Sequence, residues 1–163
     1  MSIEVTKVGV IGCGTMGSGI CEISAGAGFD VTYVETTDEL VAAGRERIER
    51  SLAKRVERGR LEQAEADRIL GSISGTTEFS ALGDRDLVIE AVPEKLDLKK
   101  KVFEQLDEIL SDDAILATNT SSLSVIDMAV TTKRPDRVIG FHFFNPAQVM
   151  KLVELVTTVT TND

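Results

Sequence analysis

Six short runs rich in β-branched and aliphatic residues punctuate the chain: Val5 to Ile11, Val31 to Glu35, Ser72 to Thr76, Asp86 to Val92, Ala114 to Thr118 and Arg137 to Phe143. Most are apolar throughout instead of alternating, the pattern of strands covered on both faces. A seventh run, Lys151 to Val156, fits an edge strand. Between the runs lie stretches with helical periodicity. The first spans Met16 to Ala27 and closes at Gly28. In the second, Leu40, Gly44, Ile48, Leu52 and Val56 recur every four residues while Arg45, Glu46, Glu49, Arg50 and Glu57 fall off that line. That spacing predicts one buried stripe and a solvated, charged face. Gly59 ends this helix, and Leu61 to Leu70 reads as another folding back on it. Further helices are predicted over Glu94 to Leu110 and Ser124 to Ala129. Strands alternating with helices predict βαβ units and a parallel sheet. The helical pair between the second and third strands, about thirty residues, exceeds what a simple crossover needs, and so reads as an insertion.

Composition narrows the class. At 163 residues the chain suits one domain with a real core. No apolar run is long enough to cross a bilayer, so no membrane partner is expected. The opening MSIEVTKVGVIG carries an acid ahead of its apolar run and no small-residue cleavage pattern, so it reads as a first strand and not as a signal peptide. A net charge of −9 opposes binding to nucleic acid. Cys13 and Cys21 read as small reduced residues, which fits a cytoplasmic protein, and no metal site is expected.

Gly12-Cys13-Gly14-Thr15-Met16-Gly17 follows the first apolar run directly and opens the first helix. In that setting the first glycine permits a tight turn, the second lets backbone approach a pyrophosphate, and the third lets helix pack on strand. The helix N-terminus then offers free N–H groups to phosphate. Glu35, eighteen residues after Gly17 at the end of the second run, stands where an acid binds both ribose hydroxyls of an adenosine. A carboxylate there repels a 2′-phosphate, which favours NAD over NADP. Together these features predict an α/β fold: a doubly wound, mostly parallel sheet of Rossmann type with a helical hairpin inserted between strands two and three.

His142 is the only histidine, within Gly140-Phe141-His142-Phe143-Phe144-Asn145-Pro146. A lone histidine among aromatics also suits a satisfied core position. Its place at the C-terminal end of a predicted strand, the edge where ligands bind in open α/β sheets, argues for chemistry instead. Glu154 follows in the next extended run, so a return turn brings its carboxylate within reach of the ring; a solvated edge-strand glutamate is the alternative. Asn119-Thr120-Ser121-Ser122 follows the fifth run, and by composition suits a turn with a helix cap. Glu90 and Glu94 flank Ala91-Val92-Pro93, where acids cap a following helix by default or face a cofactor ribose.

These segments resemble the 3-hydroxyacyl-CoA dehydrogenase family, and most nearly its short-chain 3-hydroxybutyryl-CoA members. GCGTMGSGI, VIEAVPE, ATNTSSLS and HFFNPAQVMKLVE occur in the family's order and spacing, and the likeness covers essentially the whole chain. The resemblance implies roles by position. His142 is the implied base, Glu154 its orienting carboxylate, and Ser121 the hydroxyl touching both the substrate oxygen and the nicotinamide end. Asn145, Glu94 and Lys99 are implied cofactor contacts alongside Gly12, Gly14, Thr15, Met16, Gly17 and Glu35. Ser51 and Arg58, in the inserted hairpin, fall where the family contacts CoA, with arginine where lysine is common; the swap keeps a phosphate-binding charge. The implied reaction is reversible, NAD-dependent oxidation of an (S)-3-hydroxyacyl-CoA to the 3-ketoacyl-CoA, with the hydride chemistry belonging to the cofactor. Residues 1–163 would form the NAD-binding domain alone. The family's second, helical domain, which closes the site and makes a homodimer, would be missing. NAD binding with severely reduced turnover is then expected. The alternatives are a module that binds NAD or CoA without turnover, and a dehydrogenase of other hydroxy acids.

Overall fold

The computed structural model describes residues 4–162. In chain order the elements are β1 (Lys7–Ile11), α1 (Thr15–Gly26), β2 (Asp30–Val34), α2 (Asp38–Glu57), α3 (Gln63–Gly71) and β3 (Ile73–Thr76). There follow β4 (Leu87–Glu90), α4 (Leu96–Ile109), β5 (Ile115–Thr118), α5 (Val125–Ala129), β6 (Val138–Phe143) and β7 (Val153–Val156). Two short 3₁₀ turns, Phe79–Leu82 and Pro135–Arg137, interrupt the connections. The strands form one seven-stranded sheet in the order β3-β2-β1-β4-β5-β6-β7. Every pairing is parallel except β6 with β7, which is antiparallel. The chain winds outward from β1 to β3 and restarts at β4 beside β1, so a switch point opens above the C-terminal ends of β1 and β4.

Apolar residues on the two faces of the inner strands build two cores. One joins Val8, Val10 and Tyr33 to Ile20, Ile48, Leu52 and Ile69 of the first three helices. The other joins Ile11, Val88 and Leu116 to Val102, Phe103, Leu106 and Met128 of α4 and α5. The all-apolar strands are therefore the doubly covered ones. β7 differs, with Val153, Leu155 and Val156 all exposed.

The inserted hairpin is α2 and α3. Its first helix is capped by Thr37, whose hydroxyl accepts from the Leu40 N–H at 3.3 Å. Asp38 and Glu39 lie in its first turn and Lys54 and Arg55 in its last, charges that suit the helix dipole. The charged face is less solvated than the periodicity predicts. Arg45 donates to the carbonyls of Leu70 (3.1 Å) and Ile73 (2.8 Å), satisfying the end of α3. Arg55 reaches Glu22 of α1 at 2.6 Å, and Glu22 is buried.

Several boundaries shift, those of β1 and β4 for a hydrogen-bonding reason. β1 starts at Lys7 and not Val5, because the backbone N–H groups of Thr6 and Lys7 donate to the Asp86 carboxylate, both at 2.8 Å. β4 ends at Glu90 and not Val92, because the Val92 N–H turns back onto the Glu90 side chain at 2.7 Å. α4 begins at Leu96, two residues later than predicted, and β7 begins at Val153.

Candidate functional site

The C-terminal ends of β1, β2, β4, β5 and β6 share one edge of the sheet, and the nominated residues collect there. After β1 the chain turns through Gly12 at φ 86°, a conformation that favours glycine. A Cβ on Gly17 would stand 1.7 Å from the Gly12 carbonyl oxygen, so α1 packs on the turn only with glycine there. Gly14 faces open space, and α1 begins with no capping side chain and no acid in its first turn. Its leading N–H groups are thus left for an anion. Glu35 sits just past β2 and accepts from the Cys13 N–H at 2.6 Å through one oxygen, which ties the acid to the glycine turn. Gly12, Gly14, Thr15, Met16 and Glu35 line a cavity of about 690 Å³, completed by apolar Val34, Leu40, Phe79, Leu98 and Val102. Phosphate donors at one place, a carboxylate for ribose hydroxyls and an apolar slot for a base suit NAD.

Met16, Ala91 and Val92 also line a second cavity of about 370 Å³, which brings Glu94, Lys99, Asn119, Ser121, His142 and Asn145 together. His142 faces Glu154 across the β6–β7 pair, and its Nδ1 lies 2.8 Å from a Glu154 oxygen. An ionised carboxylate only accepts, so Nδ1 carries a proton and, in the neutral imidazole, Nε2 keeps its lone pair. The Phe144 ring packs against the imidazole with centroids 4.7 Å apart. The Asn119 side-chain oxygen accepts from the Phe143 N–H at 2.9 Å, which registers the Ser121 turn against the histidine strand.

Under this cavity lies a buried ionic cluster. Glu90 does not cap α4, nor does it face the crevice: it is fully buried and receives Lys99 Nζ at 2.6 Å and Thr118 Oγ1 at 2.7 Å. Lys99 is equally buried and spends its other donors on the Val92 carbonyl and Glu94, both at 3.2 Å. Its ammonium is therefore engaged from within, which limits it as a direct cofactor contact. Glu94 does not cap α4 through its side chain either; it accepts from the Thr120 hydroxyl and Lys99. Burial alone would raise its pKa, but the Thr120 hydrogen bond, the Lys99 charge and the Ser121 backbone N–H outweigh that and hold it below the usual range.

Ser51 and Arg58 share a third cavity of about 450 Å³, which has no lining residue in common with the His142 cavity but adjoins it where Asn145 of one lining meets Pro146 of the other. Lys54, Arg55 and Arg60 line it too. These cations escaped the sequence reading, although Ser51, Lys54, Arg55 and Arg58 recur at the three- and four-residue spacing that places them on one helix face. A cationic cleft in a chain of net charge −9 suits a polyanionic ligand. No described helix is long and apolar enough to cross a membrane.

A glycine turn feeding a helix, an acid at the tip of the next strand and a carboxylate-bound histidine at the switch-point edge define the dinucleotide-binding domain of a dehydrogenase. The chain matches the 3-hydroxyacyl-CoA dehydrogenase NAD binding domain over residues 7–163, and it belongs to that family. It is 49% identical to a 3-hydroxybutyryl-CoA dehydrogenase of Mycobacterium tuberculosis, over all of this chain and 57% of that protein. It is 44% identical to the 3-hydroxyadipyl-CoA dehydrogenase of Escherichia coli, over 99% of this chain and 34% of that protein. The crystal structure of (S)-3-hydroxybutyryl-CoA dehydrogenase from Ralstonia eutropha superposes with a TM-score of 0.96 at 41% identity, over 98% of this chain and 56% of that one. The chain thus spans little more than half the length of the short-chain relatives.

Proposed function

We propose that this domain binds NAD and supplies the base for oxidation of a short-chain (S)-3-hydroxyacyl-CoA, with 3-hydroxybutyryl-CoA as substrate. The observation that carries the reading is His142, whose Nδ1 is held by Glu154 while Nε2 stays free in the cavity that also holds Ser121 and Asn145. NAD, when bound, supplies the hydride acceptor. His142 Nε2 takes the proton of the substrate 3-hydroxyl as the carbonyl forms, and Glu154 stabilises the resulting imidazolium. Ser121 holds the substrate oxygen, and Asn145 and Glu94 orient the cofactor's reacting end. In the reverse direction His142 returns the proton to the ketone oxygen. Ser51 and Arg58, with the neighbouring cations, hold the CoA phosphates at the hairpin.

Two further features support the reading. The bare apolar residues along β7 suit a covering helical domain of the kind that closes the site and pairs protomers in such enzymes. Cys13 and Cys21, both free and buried, suit a reducing compartment such as the cytoplasm. Reduction of acetoacetyl-CoA by NADH, followed in the whole gene product, is the direct test. Tight NADH binding in calorimetry without turnover would sink the catalytic reading and leave a cofactor-binding module.

A further inference from the structure

Ser121 has no side-chain bond of its own to fix its hydroxyl, and the residues on either side of it are held from beneath. Two routes lead there, and both start at Glu90. By the first, Glu90 Oε2 accepts the Thr118 hydroxyl at 2.7 Å, which turns the Thr118 oxygen to accept the Thr120 N–H at 3.2 Å. By the second, Glu90 Oε1 holds Lys99 Nζ at 2.6 Å; Lys99 in turn holds Glu94 at 3.2 Å. Glu94 then receives the Thr120 hydroxyl. The Thr120 oxygen also accepts from the N–H groups of Ser122 (3.4 Å) and Leu123 (3.0 Å), completing the turn.

The polarity of this network follows from Glu90 presenting an accepting oxygen to each arm. Thr118 has one proton and gives it to Glu90, so its lone pairs are left for Thr120. A neutral amide at position 90 can instead present a donor to Thr118, which takes one of the hydroxyl's lone pairs, leaves its proton without the Glu90 acceptor and so loosens the orientation that serves the Thr120 N–H. Lys99 would keep the Val92 carbonyl and the amide oxygen but lose the Glu90 charge, which leaves Glu94 as its one carboxylate partner among the described residues and draws that carboxylate toward it. No other described carboxylate touches both arms.

We propose that Glu90, a residue buried beneath the cavity and out of reach of any ligand, is a positioning residue that sets the Ser121 turn through Thr118 on one side and Lys99 with Glu94 on the other. The proposal rests on the functional reading above for its catalytic consequence, and on the geometry alone for its structural one.

The test compares the wild-type gene product with Glu90→Gln, Thr118→Val and Thr118→Ser. Amide hydrogen exchange reads the turn directly: exchange over Thr120 to Leu123 is expected to quicken about tenfold in Glu90→Gln and Thr118→Val, with β1 and β4 unchanged and Thr118→Ser close to wild type. Acetoacetyl-CoA reduction is expected to lose roughly tenfold to a hundredfold in kcat in the first two variants, with the NADH dissociation constant within about threefold and the serine variant rescued. Uniformly faster exchange across the sheet, or an unchanged turn, would overturn the proposal by assigning Glu90 a general packing role. If Glu90→Gln does not fold, the near-isosteric Thr118→Val decides alone. If the wild type shows no turnover, the functional reading fails while the exchange pattern still decides this one.

Discussion

Two carboxylate pairs meet at the same cleft, 2.8 Å apart in His142–Glu154 and 2.6 Å in Lys99–Glu90, yet they are built for opposite ends. The first lies on the last, antiparallel pair of the sheet, and its side chains are 18% and 54% exposed. The second is under the central strands, 1% and 0% exposed. Water reaches both partners of the outer pair, so neither side chain depends on the other alone. In the inner pair each charge lacks any solvent substitute, and its partner and hydrogen bonds must supply all of it. A half-wet pair and a dry frame thus sit on one edge.

The largest expected effect breaks the inner pair. Lys99→Met removes the cation and leaves Glu90 as a buried, uncompensated carboxylate, which costs roughly 3–5 kcal/mol of folding stability. Urea unfolding followed by circular dichroism measures it. A loss below about 1 kcal/mol, the range of a surface pair, would erase the contrast between the two pairs.

His142→Gln addresses the outer pair. It keeps a hydrogen-bonding group near Glu154 but offers no base, so kcat for acetoacetyl-CoA reduction is expected to fall roughly a hundredfold to a ten-thousandfold. The urea midpoint should stay near wild type. A variant that unfolds early while retaining most of its activity would assign the histidine to the core, the alternative that its aromatic neighbours leave open.

The outer pair was more legible in the sequence than the inner one, for physical reasons. Strands covered on both faces must be apolar, so β1, β2, β4 and β5 announce themselves, and a glycine turn at a strand end demands specific residues at specific spacings. His142 is a single event in the chain, and Glu154 lies one hairpin away, near enough for their pairing to be anticipated. Glu90 was read as a helix cap because carboxylates are usually there for the following helix. What overrides that default is Lys99, which the resemblance assigned to the cofactor and the fold gives to Glu90. Burial of a lysine becomes visible only once α4 is laid on the sheet. Likewise Arg45 read as solvated because its partners, the carbonyls of Leu70 in α3 and Ile73 in β3, lie far off in sequence.

A smaller effect separates orientation from charge in the outer pair. Glu154→Gln can still accept from Nδ1 but no longer stabilises the imidazolium, so a loss of roughly tenfold to a hundredfold in kcat is expected with little change in NADH affinity. Because the pair is half wet, stability should move by no more than about 1 kcal/mol. Thermal unfolding and a kcat profile against pH read the two halves, and a large stability loss with unaltered turnover would place the pair with the frame.

Glu94 is the intermediate case, 40% exposed and bonded to both the buried lysine and the Ser121 turn. Burial opposes its charge, but the Thr120 hydroxyl, Lys99 and the Ser121 N–H together hold its pKa below the ordinary 4.5. A depressed folded pKa means that the ionised form is stabilised by folding. Its contribution is therefore complete above pH 4.5, the unfolded value, and is lost as the pH falls through the lower folded one. Glu94→Gln has no such proton to take up. The wild type should be the more stable at neutral pH, and its unfolding midpoint should fall more steeply than the variant's as the medium becomes more acid than pH 4.5, so that the two curves draw together. Exposure and salt screening keep the effect small, and raising the ionic strength should shrink it further, which the dry Lys99–Glu90 pair should resist. Parallel curves for the two proteins would place Glu94 outside the charged frame, with Lys99 serving Glu90 alone.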